Sequence, residues 1–430
     1  MSVTIRSLSI ASESTFGSLD SSTNLPDVSG LLFVSIPCER DPIVIAGEPP
    51  ISERNDTRDG AYTYAPEPST VYSGGNRVQH RTGSISVTVD LTGVGSSAAN
   101  YTSNYLGFIL GAGLKTQTAQ ADQASTVQSV NEYTPNASAT DPAEVGNLVS
   151  FTGARSQYSA ITDNADGSGY TTISPAFDTD FTGTQTVRQL QTWYTGSRTA
   201  TGTRALTSVA LRVDGVNFQS TAVGCVLESM SISTDNGRLM GEFTFQSAHI
   251  FDTHSAAAGP IEPSFNAGSP PFFRNSEVIL SATAPTSLTN ATTGDKLGRI
   301  SLDCDDFTFS LTNTLTPVGS SKSVLAMTDM EITDTDAELT LTVSSVNTAI
   351  LNDFRDRVLR QVIVGTGPTG DGKGCAIMLS AAYLTVDPSQ YDVSGNDIVR
   401  QQLTYKPSRF GGDVVETGAG NSPIRFGLGV

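Results

Sequence analysis

The sequence predicts a mainly β protein built from two tandem antiparallel β-sandwich or barrel units. Each unit has one flanking α-helix, and the first carries a small β insertion. Three observations lead there. The 430-residue chain is rich in Ser, Thr, Gly and Asn, and charged residues make up only 16% of it, the composition of a strand-and-turn chain. Many short segments alternate apolar and polar residues with the period of two that a half-buried strand requires. Segments around the four cysteines also recur in the same order in both halves of the chain.

The first unit spans residues 1–252, with the recurring part starting near residue 30. "VSIPCER" (34–40) is a strand with Val34, Ile36 and Cys38 on one side. Beyond Cys38 the apolar parity passes to Ile43 and Ile45, which predicts a bulge, because a shift of one residue turns a strand over. "SISVTVDL" (84–91) alternates through Ile85, Val87, Val89 and Leu91. Tyr101, Tyr105 and Phe108 in "AANYTSNYLGFIL" (98–110) recur at helical spacing. Residues 116–204 form the insertion: a polar stretch over 116–144 reads as loop, and 147–177 reads as short strands around a Gly-rich turn. Gly224-Cys225 opens an apolar strand, and Asn236-Gly237 marks a tight hairpin.

Residues 253–271, rich in Ala, Gly, Pro and Ser, read as a linker. The second unit then repeats the order over 272–410. "ISLDCDD" (300–306) matches the first cysteine strand, with Ile300, Leu302 and Cys304 on one side and Phe307, Phe309 and Leu311 following the parity change. Leu339, Leu341 and Val343 form the alternating strand. Ile350, Phe354 and Val358 mark the helix, with Asp353–Arg357 and Asp356–Arg360 one turn apart as expected ion pairs. Gly374-Cys375 is the expected counterpart of Gly224-Cys225. Residues 411–430 are left as a Gly-rich C-terminal tail. The cysteines read as small buried core residues; a disulfide within a unit stays open.

Several function classes lose support. With 43 carboxylates against 25 Lys and Arg and a net charge of −18, the surface is a poor landing site for nucleic acid or anionic lipid. No apolar run is long enough to span a membrane, and the N-terminal residues lack a signal-peptide pattern. On that expectation the acceptor-like Asn55, Asn100, Asn136 and Asn290 carry no message.

"GPTGDGKGCAI" (367–377) contains G-x-x-x-x-G-K, yet Gly374 follows Lys373 where a phosphate loop needs Ser or Thr, and a strand follows where it needs a helix. Gly93-x-Gly95-x-x-Ala98 mimics a dinucleotide fingerprint, but the strand before it alternates instead of being apolar throughout. His80, His249 and His254 have no zinc spacing, and "DNADGSG" (163–169) lacks the closing Glu of a calcium loop. Asp305–Asp306 and Asp334–Asp336 read as solvated edges, and the single Trp193 as a packing residue. No catalytic, cofactor-binding or metal-ligating residue is expected, and the chain reads as a structural protein, not an enzyme.

Four segments carry a family resemblance. "GRISLDCDDFTFSLTNTLTPV" (298–318), "MEITDTDAELTLTVSSVNTAILNDF" (330–354), "VLESMSISTDNGRLMGEFTFQ" (226–246) and "NLVSFTGARSQYSAITDNADGSGYTTISPAF" (147–177) resemble the tail tube proteins of long, non-contractile-tailed bacteriophages. The resemblance implies two roughly orthogonal sheets with a helix on the flank, one sheet joining its neighbours into the wall of a tube. It implies a virion protein, made in the host cytoplasm, that conducts DNA during ejection without binding it specifically. Its partners would be copies of itself, the tape measure protein and the tail terminator, with no membrane insertion. Most members carry one such domain and form hexameric rings; two domains per chain imply a homotrimeric ring. The tail 411–430 and the polar segment 116–146 are then expected at contacts between successive rings. The alternatives are another β-rich virion component, from a baseplate or head decoration, and an extracellular carbohydrate-binding β protein.

Overall fold

The alternating segments become strands, and one scheme of pairings occurs twice. The computed structural model describes residues 5–19, 26–38, 43–46, 52–56, 60–64, 82–93, 98–117, 123–129, 132–135, 145–152, 157–164, 171–175, 183–195, 207–215, 218–253, 271–282, 300–320, 323, 325, 327–344, 348–367, 374–388, 391–392, 400–408 and 422–429. It is mainly β, with large antiparallel sheets.

In the first half the elements are β1 (Ile5–Ser12), β2 (Val34–Ile36), β3 (Ile43–Ala46), β4 (Ser52–Asp56), β5 (Gly60–Tyr64) and β6 (Gly83–Asp90). A 3-10 turn (Ala98–Ser103) leads into α1 (Tyr105–Gly111) and β7 (Lys115–Gln117). The insertion supplies β8 (Gln123–Ser129), β9 (Glu132–Pro135), β10 (Leu148–Thr152), β11 (Gln157–Asn164), β12 (Thr171–Ser174) and β13 (Gly183–Gln189). The half ends with β14 (Gln191–Tyr194), β15 (Val209–Gly215), β16 (Gln219–Asp235), β17 (Arg238–Ser247) and β18 (His249–Thr253). The second half contains β19 (Phe272–Ala282), β20 (Ile300–Leu302), β21 (Cys304–Gly319), β22 (Met327–Val343), α2 (Thr348–Asp356), β23 (Arg360–Gly367), β24 (Cys375–Leu384), β25 (Tyr391–Asp392), β26 (Arg400–Pro407) and β27 (Ile424–Leu428).

A back sheet and a front sheet enclose the main core. In the first half the back sheet runs β2-β1-β15-β16-β18, and in the second β20-β19-β23-β24-β27. The registers correspond: Leu8 faces Ile36 and Val213, as Val278 faces Leu302 and Val364. The front sheet runs β3-β6-β17-β16 in one half and β21-β22-β26-β24 in the other. There Ile85, Val87 and Val89 lie opposite Phe245, Phe243 and Gly241, as Leu339, Leu341 and Val343 lie opposite Tyr405, Leu403 and Gln401. The hairpin at Asn236-Gly237 forms with both residues at positive φ, 53° and 82°, as such a turn demands.

The register corrects the cysteine correspondence. Cys38 bridges to Val89 and Cys304 pairs with Val343, so that pair coincides. Cys225 pairs with Val209, and the residue in the same relation to β23 is Ala382, opposite Arg360. Cys375 lies seven residues earlier on its strand than Ala382. The repeated Gly-Cys dipeptide therefore marks two different places. None of the four cysteines is in a disulfide, and burial pushes the thiols of Cys225 and Cys375 upward. The expected parity change after Cys38 is also different: Val44, not Ile43 or Ile45, lies opposite Ile85 and against the core, while Ile43 is exposed. After Cys304 the change occurs as expected, through a bulge between Cys304 and Asp306.

Further corrections concern segments that read as polar. Within 116–146, Lys115–Gln117 joins β14, and β8 and β9 are two staves of a closed six-stranded barrel, β10-β11-β12-β9-β8-β13. The tail 411–430 ends in β27, which is wedged between β24 and β14, with Ile424, Arg425, Phe426 and Leu428 fully buried. β27 holds the same edge of β24 that β18 holds of β16, so the second half extends to Leu428, not 410. The expected ion pairs at helical spacing give way to another: α2 stops at Asp356, Arg357 turns to φ 51°, and Arg360 on β23 grips Asp353 through two 2.8 Å bonds. The linker 253–271 lies, apart from its ends, outside the described residues.

Because β27 is core, Phe426→Ala should lower stability by about 3–5 kcal/mol, the usual cost of emptying a buried aromatic site. Deleting 411–430 should yield misfolded protein, not soluble rings. Denaturant unfolding of the point variant and solubility of the deletion check both.

Candidate assembly surface

The front sheet is continuous through both halves. β16 pairs antiparallel with β21, setting Met230 opposite Leu311 and Ile232 opposite Phe309. One face of this sheet is buried, with Ile85, Val87, Phe243, Phe245, Phe309, Leu339 and Leu403 each at most 1% exposed. The other face carries hydroxyls: Ser86, Thr88, Thr244, Ser231, Ser233, Thr308, Ser310, Thr312 and Thr340 meet water, and Thr404 is buried among them. Hydroxyl contacts cross its strands at Ser86–Thr244 and Thr340–Thr404, which occupy corresponding places in the two halves. The described charges on this face include Asp90, Asp235, Glu242, Asp306, Asp334, Asp336 and Glu338 against Arg238, Arg400 and Lys406. Arg238 is held by Asp90 at 3.2 Å, and Lys406 by Asp336 at 3.2 Å and Glu338 at 3.6 Å. Each cation is thus engaged by a carboxylate (Arg400 by Asp305 at 3.0 Å), which leaves the wet face with an acidic excess.

Two further contacts fasten the halves. Val226 and Ala248 of the first half pack with Leu325, Met327, Met330 and Ile332 of the β21–β22 hairpin, and Phe16 and Leu19 close this small core. The inserted barrel docks on the second half's back sheet, where Leu148, Tyr158, Ala160 and Leu190 meet Ile279, Ile363, Ala376 and Met378. Tyr158 donates its hydroxyl to the Thr366 carbonyl at 2.5 Å. A Cβ at Gly365 would lie 2.0 Å from the Tyr158 ring, so only glycine admits this approach. In the first half the positions corresponding to Ile279 and Ile363 are held by the polar Ser9 and Arg212.

Glu13 organises the bend that lets β16 serve both sheets. At Gly224 the strand turns to φ 62°, and its N–H is accepted by the Glu13 carboxylate at 3.0 and 3.2 Å. Gly17, also at positive φ, donates to the same carboxylate at 3.4 Å. Desolvation outweighs these donors and raises the Glu13 pKa above 4.5. No sequence motif announced this residue; its role follows from an N–H that the bend leaves without a strand partner.

The G-x-x-x-x-G-K segment joins antiparallel β23 to β24, so no helix follows it, and Gly372 and Lys373 lie outside the described residues. The Gly93 turn leaves β6, whose neighbours β3 and β17 are both antiparallel. His249 is buried on β18; His80, His254 and most of 163–169 lie outside the described residues. Among the described residues no group of His, Cys, Asp and Glu is placed to hold a metal ion, and no helix is long and apolar enough to cross a membrane. Trp193 is buried edge-on against Tyr101 at 5.1 Å. It lines a cleft of about 270 Å³ with Ser12, Phe108, Gln191 and Val209, which contains no carboxylate, imidazole or amine.

The fold and surface thus define a class: a mainly β protein with one sheet running through both halves, wet on one face. No family model matches the chain, and no curated protein matches it.

Two outcomes are expected. Glu13 contributes stability below pH 4.5, where it is protonated in both states, and this contribution is lost as pH rises through its raised folded pKa. Glu13→Gln should flatten that decline; urea unfolding of both proteins between pH 4 and 7 measures it. Calorimetric titration with ATP and magnesium should show no saturable heat; binding abolished by Lys373→Ala would assign the loop to nucleotide after all.

Proposed function

We propose that this chain is the structural subunit of a phage tail tube, arranged as two copies of one tube unit. The observation that carries the reading is the front sheet: it crosses from one half into the other through β16–β21, with the same strand order on each side. A tube wall needs such a sheet, because closure through neighbours removes the sticky edges. Three chains supply six units per ring, and rings stack into the tube. The wet face lines the channel. Its hydroxyls keep it hydrated, and its carboxylate excess repels the phosphates of passing DNA. The protein then belongs to the virion, with itself, the tape measure protein and the tail terminator as partners, and has no catalytic role.

β27 is core, and β8 and β9 close a barrel, so these strands are already ordered within one chain. The insertion instead braces the two halves of one chain, through Tyr158 and its apolar neighbours.

Negative-stain images of concentrated protein should show hollow tubes, and native mass measurement should give a three-chain ring. Glu242→Lys with Glu338→Lys should convert a protein that does not retain DNA into one that does, with retention falling steeply as salt rises. Discrete closed particles without a channel would favour a baseplate or decoration role.

A further inference from the structure

The junction inside the chain has an unfilled twin at each end. Among the described residues, β3 pairs only with β6 and β25 only with β26, so each presents an open edge of the front sheet. Those are the edges that β21 and β16 present to each other inside the chain. β21 pairs with β22 as β3 pairs with β6, and the outgoing part of β16 pairs with β17 as β25 pairs with β26.

The registers fix the match residue by residue. Ile232 lies opposite Gly241 in its own hairpin and opposite Phe309 across the internal junction. Tyr391 lies opposite Gln401, the counterpart of Gly241. Val44 lies opposite Ile85, the counterpart of Leu339, which is opposite Phe309. Transferring the internal junction therefore sets Tyr391 of one chain against Val44 of the next. Ser233 opposite Thr308 likewise transfers to Asp392 opposite Ile43.

An uncovered apolar patch marks the same end. In the first half Val226 is 1% exposed, sealed by the β21–β22 hairpin of the second. The residue in its place on β24 is Tyr383, opposite Lys406 as Val226 is opposite Gln246. Tyr383 is 37% exposed, and Val386 beyond it 39%. What covers the first site is chain that follows directly from the paired edge strand β21.

We infer that a second copy of this chain docks head to tail, its β3 edge against β25 in the register Val44–Tyr391, with Tyr383 and Val386 buried at the contact. The interface is heterologous, so it leads either to a closed ring or to an open spiral. Its two sides are not equal in strength to the internal junction. Pro388 lies in the break between β24 and β25, where β16 runs on unbroken, and among the described residues the second half has no barrel insertion to brace the next chain. Rings therefore open between chains, never between the halves of one. This inference rests on the tube reading for the number of chains, but not for the register.

Cysteines at Ile43 and Asp392 test it, because directly opposed residues of an antiparallel pair bring Cα atoms within disulfide range. Under mild oxidation the Ile43→Cys/Asp392→Cys protein should give a covalent ladder that ends at three chains, absent from either single variant, which reports the native thiols. Tyr383→Glu should shift the assembly midpoint to at least tenfold higher concentration in sedimentation, with the melting temperature of the isolated chain unchanged. Absence of the ladder in a protein that still assembles would overturn the register. A ladder ending at another number would uphold the register and overturn the three-chain ring. Crosslinked rings that never stack would uphold it while removing the tube.

Discussion

The edge of a β-sheet is the constraint on which the rest of this protein depends. A strand with an unpaired edge exposes N–H and C=O groups that bind any chain offered to them. Here one half gives its β16 edge to the β21 edge of the other. That pairing joins two cores into one cluster, running from Leu8 and Ile10 through Phe243 and Phe309 to Leu403 and Leu428. It also aligns the wet faces of both halves into one surface. Continuity of the wall and continuity of the core have the same cause.

Holding β16 in that position requires one strand to belong to two sheets. The bend at Gly224 makes this possible and leaves an amide without a strand partner. Glu13 accepts it, although burial disfavours the ionised carboxylate. The N-terminal segment beyond Glu13 then lays Phe16 and Leu19 over the hydrophobic seam between the halves. A buried carboxylate, two glycines at positive φ and a small apolar cluster thus act together at the junction.

The two back sheets show how side chains alone separate two units with the same backbone scheme. Ile279 and Ile363 make one back sheet apolar, and it accepts the inserted barrel. Ser9 and Arg212 stand at the corresponding positions of the other. Arg212 is instead held by Asp214 at 3.1 Å and lies over the Phe33 ring. β27 fills for the second half the place that β18 fills for the first, and it further joins β14 of the insertion stem. The barrel and the C-terminal strand therefore brace the same half from adjoining sides.

Local pattern determined much of this. The alternation at 84–91 and 339–343, the Asn236-Gly237 turn, the match of Cys38 with Cys304 and the strand that follows Gly374 were all legible. Each rests on neighbouring residues: side-chain period, turn chemistry, or the residue type a motif needs. What the sequence did not disclose depends on partners far along the chain. "IRFGL" at 424–428 does not alternate, because both its faces are buried, and it follows a Gly-rich stretch that reads as tail. β8 and β9 look polar because barrel closure, not apolar content, satisfies their backbones. Gly224-Cys225 and Gly374-Cys375 match as dipeptides, but register across strands places them seven residues apart in the scheme. Asp353 meets Arg360, not Arg357, because α2 ends before the fourth residue arrives. The sequence by itself determined the strongly alternating strands, such as 84–91 and 339–343, and which face of each is wet. Only the tertiary structure decided which edges meet, because hydrogen bonding between strands is indifferent to side-chain identity, and the choice falls to packing between residues hundreds of positions apart.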